Sequence, residues 1–310
     1  MLIQSVDSYL AVRRAMGFAL HSEGTLLRSF AVFSEAAGKN YVHTETALEW
    51  AGLARSTTTR ARRLGQVIRF ARYIRAEDRR HELPPAAFGC EKKPRPTPYI
   101  FSNDDIKHLI HAASTLGRRN AFRGRTYSTF FALLACTGLR VSEAVRLCFD
   151  DITSDGLIIR CSKFRKSRLV PLHERAQTAL DCYLQARRSF APFDSHVFVS
   201  LRRRRLLIGD AETAFQQSIE KMGLPRGPGL ARPTIHSLRH SFAVRALESC
   251  PDGRGRITKH MVALSTYLGH SRVADTYWYG RKPHRRSVHG CPSVGTPEFQ
   301  SYSSMPAMMR

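Results

Sequence analysis

Apolar residues recur every three or four positions along most of the first 83 residues, which is the spacing typical of amphipathic α-helices. The pattern predicts a first helix near the start of the chain, a second that ends at Gly38, and a third that Thr44 caps. The longest predicted helix covers residues 57–83, where arginines fill positions between the apolar ones. The apolar positions behind these four helices are Val6, Tyr9, Leu10 and Val12 to Met16; Leu26, Leu27, Phe30, Phe33 and Ala36; Ala47, Leu48 and Ala51; and Leu64, Val67, Ile68, Ala71 and Ile74.

The pattern changes over residues 84–98, where prolines, a glycine and a lysine pair replace the helical spacing. Such a composition favours a linker rather than a helix. We therefore expect a helical segment over residues 1–86, a linker over 87–98 and a larger segment over 99–282. Repeated prolines and glycines over residues 283–310 predict a flexible tail.

The larger segment combines helical spacing with two short β-type runs. Ser102, followed by two aspartates, predicts a capped helix start, and the apolar stretch 127–136 predicts a buried helix. Residues 157–159 and 169–172 are β-type, and the polar SKFRKS between them predicts a hairpin with Pro171 near a strand end. Further helices are expected over 174–188, 210–223, 237–249 and 258–269. The predicted fold class is therefore mainly α with a small antiparallel β-sheet.

Composition adds a class of partner to this picture. The formal net charge is +24 and the isoelectric point is about 10.5, so the surface attracts nucleic acid or another polyanion. Hydrophobic residues make up 43% of the chain, which indicates a globular protein. In the 57–83 helix we expect the arginines to contact DNA phosphates, although a solvated helix face has the same pattern. These residues are Arg60, Arg62, Arg63, Arg69, Arg72 and Arg75.

The seven cysteines are scattered and never form a CxxC pair. This usage indicates a reducing compartment and argues against both a disulfide framework and a zinc knuckle. The first residues lack the pattern of a signal peptide, and no apolar run approaches the ~20 residues that span a bilayer. We therefore expect a cytoplasmic protein, associated with the nucleoid, with no membrane partner.

The segment TGLRVSE contains the first candidate for chemistry. Arg140 begins a predicted helix, where backbone N–H groups and the helix dipole also favour an anion. Glu143 lies three positions later and can orient the guanidinium. A surface arginine with an intrahelical ion pair has the same pattern, so this segment alone identifies no site.

The segment HSLRHSF is more specific. His236, Arg239 and His240 are three and four positions apart, so they project from one face of the predicted helix. Histidines at this spacing also suit zinc, but the metalloprotease form needs a glutamate next to the first histidine, and Ser237 stands there. Since no carboxylate cluster accompanies the pair, we predict neither a metal site nor a cofactor.

Two further segments offer a proton donor and a nucleophile. Lys163 lies in the predicted hairpin and could reach into a groove; its neighbours Arg165, Lys166 and Arg168 compete for that role, and residue type alone leaves the choice open. Tyr279 ends the segment YLGHSRVADTYWY, close to another tyrosine at position 277. A phenol with a pKa near ~10 is a weak nucleophile until nearby cations lower that pKa.

The order and spacing of these segments resemble those of the tyrosine recombinases of the phage integrase family, over roughly residues 5–280. In that family, an arginine in TGLR-x-SE, a hairpin lysine, an H-x-x-R segment, a histidine in LGH and a tyrosine nine residues later form the active site. The resemblance selects Tyr279 over Tyr277 and Lys163 over Lys166, and it makes Glu143 the acidic helper. The implied site residues are Arg140, Lys163, His236, Arg239, His270 and Tyr279, with Glu143 and His240 in support; Arg165 and Lys166 are expected to bind DNA.

The resemblance implies a helical DNA-binding domain over 1–86 and a catalytic domain over 99–282, which together clamp double-stranded DNA. It also implies a covalent 3′-phosphotyrosine, reaction without metal or ATP, and a homotetramer on DNA, with accessory recombinases or DNA-bending proteins as further partners. The proline- and glycine-rich tail departs from the family, whose chains usually continue into an element that docks on a neighbouring protomer. Either the tail docks in an extended form, or the end of the chain is altered, in which case cleavage survives while tetramer assembly and full recombination fail.

Three other functions fit part of the pattern. A DNA-binding relic would keep the fold without recombining, and the departing tail favours it while the intact set of residues opposes it. A type IB topoisomerase uses similar cations and a tyrosine, but relaxes supercoiled DNA of any sequence as a monomer. A metal-dependent nuclease would need a carboxylate cluster, which the sequence does not offer.

Overall fold

In the computed structural model, two compact units divide the chain into Met1–Arg95 and Pro96–Arg310. The structure describes residues 1–89, 98–117, 120–160, 167–224, 232–249, 254–269 and Thr276, with only the backbone described at 254 and 255. Each unit has its own hydrophobic core. Most of the predicted linker 87–98 and all of the predicted tail 283–310 lie outside the described residues.

The first unit consists of four described helices around one core. Their predicted amphipathic faces are confirmed, since most of the apolar positions identified in the sequence are buried. Ser56 caps the last of these helices, and its hydroxyl accepts a hydrogen bond from the backbone N–H of Thr59 at 3.2 Å. The helices are α1 (Leu2–Ala15), α2 (His21–Ala36), α3 (Thr44–Gly52) and α4 (Thr57–Ile74).

The prediction of one helix over residues 57–83 is wrong at its C-terminal end, because α4 ends at Ile74. The chain beyond it turns back onto the start of α3. The backbone N–H of Val42 donates to Nδ1 of His81 at 3.0 Å, and that of Thr44 donates to Oε2 of Glu82 at 2.8 Å. Glu82 thus satisfies an N–H at the start of α3 that lacks a partner within the helix. These tertiary hydrogen bonds compete with continuation of α4.

The second unit is mainly helical, as predicted. The helix starting after Ser102 has a capping box, in which the serine hydroxyl accepts from Asp105 N and the Asp105 carboxylate accepts from Ser102 N. Central in this unit is α6, which packs against α5, α8 and α10 and buries Phe130 and Phe131 completely. The described helices are α5 (Asn103–Ser114), α6 (Ala121–Thr137), α7 (Val141–Ala144), α8 (Glu174–Phe190), α9 (Ile208–Met222), α10 (Ile235–Glu248) and α11 (Arg254–Leu268).

A three-stranded antiparallel sheet lies between α7 and α8 in the sequence, with the strand order β1 (Ile152–Thr153), β2 (Gly156–Ile159) and β3 (Arg168–Val170). The predicted hairpin is confirmed by the pairing of β2 with β3, in which Leu157 lies opposite Val170 and Ile159 opposite Arg168. Pro171 directly follows β3, as expected. The two-residue strand β1 is an addition that the sequence pattern did not predict. None of the described helices is both long and apolar enough to cross a membrane.

Candidate active site

Arg140 occupies the N-cap position of α7, directly after a sharp turn at the end of α6. The turn depends on Gly138, whose φ of +63° is in the left-handed region that favours glycine. Space demands glycine as well, since a Cβ on Gly138 would lie 2.5 Å from Cδ1 of Phe242. The TGLR sequence therefore forms a tight turn between α6 and α7 that places Arg140 at the N-cap of α7.

The carboxylate of Glu143 is held between two arginines. Its Oε1 accepts from Nη1 of Arg140 at 2.7 Å and from Nη1 of Arg168 at 3.1 Å, while its Oε2 accepts from Nη2 of Arg168 at 2.8 Å. Burial acts to raise the pKa of Glu143, but the hydrogen bonds and charges of Arg168 and Arg140 outweigh it and lower that pKa to about 2. Glu143 is therefore an anion at any physiological pH, and it orients both guanidiniums.

Arg239 lies on α10 and is almost completely buried, with 2% of its surface exposed. Its Nη1 donates to the carbonyl of Gly138 at 2.6 Å, and its Nη2 donates to the carbonyl of Leu268 at 2.6 Å. Arg140 binds the adjacent carbonyl, because its Nη2 donates to Gly269 O at 2.8 Å. The two arginines thus meet at the C-terminal end of α11, directly before the position of His270 in the chain.

His236 and His240 lie one turn apart on α10, with ring centroids separated by 4.5 Å. His236 is open to solvent. Partial desolvation of its ring lowers the pKa of His236, and the positive charges of Arg239 and Arg140 lower it further. The imidazole is therefore neutral at pH 7, and a neutral imidazole can accept a proton.

The structure brings four of the predicted residues together: Arg140, Glu143, His236 and Arg239. His240 lies beside His236, whereas Lys163, Arg165, Lys166, His270 and Tyr279 lie outside the described residues. Arg168, weighed in the sequence only as a competitor of Lys163, instead binds Glu143. Arg168 begins β3, directly before the predicted β-type run 169–172, and no local pattern indicates its contact with Glu143. In the described part of the chain, no group of three His, Cys, Asp or Glu side chains is placed to hold a metal ion.

The arginines predicted to bind DNA from α4 fall into two groups. Arg60 donates from Nε to Ala54 O at 2.8 Å, and Arg63 donates from Nη1 to Trp50 O at 3.3 Å and lies over the Trp50 ring. These two side chains hold the end of α3 against α4. Arg62, Arg69 and Arg72 are exposed, as is Arg75 directly after α4, so these side chains are open to an external anion. DNA contact by any of the six stays a prediction.

The sequence interpretation did not single out four consecutive arginines that lie on the surface of the second unit. Residues 202–205 form an exposed turn, and none of the four takes part in an ion pair with the residues that the structure describes. Arg203 has a φ of +58° and lies over the ring of Phe190 at 5.5 Å. The signal was present as an uninterrupted RRRR, which is typical of a surface that binds a polyanion.

Sequence comparison places this geometry in a family. The profile described as "Phage integrase family" matches residues 100–285. The y4rB protein of Sinorhizobium fredii, described as an integrase/recombinase, is 37% identical over 89% of this chain and 91% of its own length. Tyrosine recombinase XerD of Caulobacter vibrioides is 30% identical over 72% of this chain and 70% of its own.

Solved structures agree with the sequence comparison. The XerA recombinase is 25% identical and superposes with a TM-score of 0.50 over 91% of this chain and 94% of its own. The Tn1549 transposon integrase, solved with transposon right end DNA, has the same fold at 16% identity, with a TM-score of 0.65 over 91% of this chain and 95% of its own. The chain belongs to the phage integrase family of tyrosine recombinases, which are enzymes that cleave and rejoin DNA strands.

Proposed function

We propose that this protein is a site-specific recombinase or integrase that exchanges DNA strands through a 3′-phosphotyrosine intermediate, without a metal ion or ATP. The observation that carries the proposal is the meeting of Arg140 and Arg239 at the end of α11, beside a neutral His236. Two fixed cations can bind the nonbridging oxygens of one phosphate, and a neutral imidazole can take up the proton of a nucleophile.

In the proposed reaction, the phenolic oxygen of Tyr279 attacks the phosphorus in line, and the bond from phosphorus to the 5′-oxygen breaks. His236 takes the tyrosine proton, and Lys163 gives a proton to the departing 5′-oxygen, which leaves as a hydroxyl. Charge grows on the nonbridging oxygens during this step, where fixed guanidiniums stabilise it most strongly in a water-poor site. A guanidinium has five N–H donors, so it can serve a backbone carbonyl and a phosphate together.

His270 would donate a hydrogen bond to the same phosphoryl group. Because the phosphotyrosine keeps the energy of the broken ester, a 5′-hydroxyl of another strand can displace the tyrosine and reseal the DNA. The reverse step uses the same groups with their proton roles exchanged, so no external energy source is required.

Double-stranded DNA is the proposed substrate, and we expect both the predicted helical domain 1–86 and the predicted catalytic domain 99–282 to contact it. The net charge of +24, the exposed Arg69 and Arg72, and the arginine turn 202–205 all support a polyanionic partner. Solved neighbours include the Tn1549 integrase on transposon DNA and a lambda integrase tetramer on a Holliday junction. From these names we propose a homotetramer on DNA and a role in a mobile element.

Covalent trapping tests this function directly. Purified protein is mixed with nicked duplex fragments from the DNA that flanks its gene, with a chelator present, and denaturing gels detect a protein–DNA adduct. We expect an adduct with the natural protein, none with Tyr279→Phe, and equal DNA binding by both. A persisting adduct in the variant would move the nucleophile to Tyr277. Binding without any adduct would favour the relic, and relaxation of supercoiled DNA of any sequence would favour a topoisomerase.

A further inference from the structure

Arg168 connects the β-hairpin to the arginine site. It lies at the start of β3, and its two terminal nitrogens bind both oxygens of Glu143. Only 12% of the Arg168 side chain is exposed, against 6% for Glu143, so water competes little for these bonds. A two-point contact of this kind fixes the plane of the guanidinium as well as its position.

The same carboxylate fixes Arg140 at two points. Its Oε1 accepts from Arg140 Nη1 at 2.7 Å, and its Oε2 accepts from the Arg140 backbone N–H at 3.0 Å. Glu143 therefore bonds at the same time to the side chain and backbone of Arg140 and to the side chain of Arg168. Removing Arg168 would leave a buried carboxylate with one cation instead of two. Glu143 would then be held from one side only, so it could reorient and carry the Arg140 guanidinium with it.

Gly269 completes this contact from a third direction. Its φ of +65° places it in the left-handed region, and a Cβ there would lie 3.0 Å from Nη1 of Arg168 and 3.5 Å from Nη1 of Arg140. Both guanidiniums therefore lie against the backbone that leads to position 270. We name this set of four residues the Glu143 junction: Arg140, Glu143, Arg168 and Gly269.

We propose that Arg168 is a positioning residue, which acts through Glu143 to set Arg140 and to dock the hairpin on the turn after α11. The proposal rests on the function given above, since the hairpin carries Lys163 and the turn precedes His270. The Glu143 junction joins three chain segments. One carries Arg140, which would bind the phosphate; one is the hairpin that carries the proton donor Lys163; and one is the turn that precedes the hydrogen-bond donor His270. Arg168 itself touches no substrate.

The first test compares single-turnover cleavage by Arg168→Gln, Arg168→Lys and a matched control, Arg160→Gln. Arg160 directly follows β2 and forms its own ion pair, Nε to Asp151 Oδ1 at 2.6 Å, with a residue that is not part of the Glu143 junction. We expect Arg168→Gln to slow cleavage roughly 10- to 100-fold, as misplacement of a reacting group does, with DNA affinity unchanged. The lysine variant keeps the charge and should recover part of the loss, whereas Arg160→Gln should cleave normally.

The second test asks whether Arg168 acts through Glu143. If it does, Glu143→Gln and the double variant Glu143→Gln/Arg168→Gln should cleave at the same rate, because the second change removes nothing further. Multiplication of the two single losses would show independent action and would overturn the proposal.

A spectroscopic readout separates this proposal from the proposed function. Restricted rotation of the Arg140 guanidinium should give resolved terminal N–H resonances in NMR spectra of the natural protein, assigned with Arg140→Lys. These resonances should broaden or merge in Arg168→Gln but not in Arg160→Gln. If they stay unchanged, the proposal is wrong whatever the activity. If they change while the natural protein forms no DNA adduct, the positioning stands and the proposed function fails.

Discussion

Arg187 and Arg239 are both buried arginines of the second unit, with 0% and 2% of their surface exposed, yet they do different work. Arg187 donates to the carbonyls of Ala191, Asp194 and His196, all within nine residues of it. Arg239 donates to Gly138 and Leu268, which are 101 and 29 residues away in the sequence. The first closes the turn after α8, whereas the second joins three helices.

The comparison shows that burial of an arginine does not by itself mark an active site. Both guanidiniums use backbone carbonyls to offset the cost of leaving water. Arg239 differs from Arg187 in its neighbours. Arg140 binds the carbonyl next to the one that Arg239 binds, and the charges of both arginines lower the pKa of His236. We therefore expect Arg187 to contribute mainly to stability and Arg239 to contribute mainly to cleavage.

The largest expected effect is on cleavage by Arg239→Ala. Loss of one fixed cation at the developing charge should lower single-turnover cleavage by roughly 10²- to 10³-fold, with DNA binding retained. Arg187→Met should cleave at the natural rate per folded molecule, measured below its melting temperature. Equal losses in the two variants would remove the distinction between them.

Stability should show the opposite order. Arg187→Met leaves three carbonyls without their donor, and we expect a loss of about 3 kcal/mol in the free energy of unfolding. Urea titrations of the two variants measure this loss. Should Arg239→Ala prove the less stable of the two, its carbonyl contacts would outweigh those of Arg187, and its effect on cleavage would need correction for folding.

Acid pH probes the Glu143 junction. The pKa of Glu143 falls from 4.5 to about 2 on folding, so its charge stabilises the protein above pH 4.5 and loses this effect as pH decreases toward 2. The natural protein should exceed Glu143→Gln in unfolding free energy by an amount on the order of 3 kcal/mol at neutral pH. This difference should be constant above about pH 5 and shrink below it. A difference that is independent of pH would show that the charge of Glu143 does not contribute to the free energy of unfolding.

His236 gives a smaller effect of the same kind. Because its pKa is lowered from 6.5, it stays neutral as pH decreases to that value, and protonation follows only below it. Cleavage at saturating DNA should therefore lose its proton acceptor only below pH 6.5, and His236→Gln should lack this acid limb. A limb centred above pH 6.5 in the natural protein would contradict the predicted role of His236.

The smallest effect is expected from the exposed arginines. Substituting Arg202 and Arg204 by Gln should reduce the slope of log affinity against log salt by roughly 2, since each neutralised phosphate contributes about 0.9. Cleavage at saturating DNA should not change, in contrast to the buried arginines. An unchanged slope would place the arginine turn away from the DNA path.

Much of the fold follows from local pattern. The amphipathic periodicities locate most helices, and Ser102 with Asp105 gives a complete capping box within four residues. Where tertiary contacts compete, the pattern fails: α4 ends early because His81 and Glu82 bind the start of α3. The strand β1 is only two residues long, too short for an alternating pattern to be visible.

The sequence by itself determined the chemistry available to this protein: which arginines, histidines and tyrosines occur, in an order that indicates one family. Only the tertiary structure decided how they work together. In the structure, Arg168 binds Glu143, whereas the sequence had suggested it as an alternative to Lys163 for the proton donor. The fold also brings Arg140 and Arg239 to neighbouring carbonyls. The physical reason is that these contacts join distant parts of the chain. Arg168 and Glu143 are 25 residues apart, and Arg140 and Gly269 are 129 residues apart, which is beyond the reach of any local pattern.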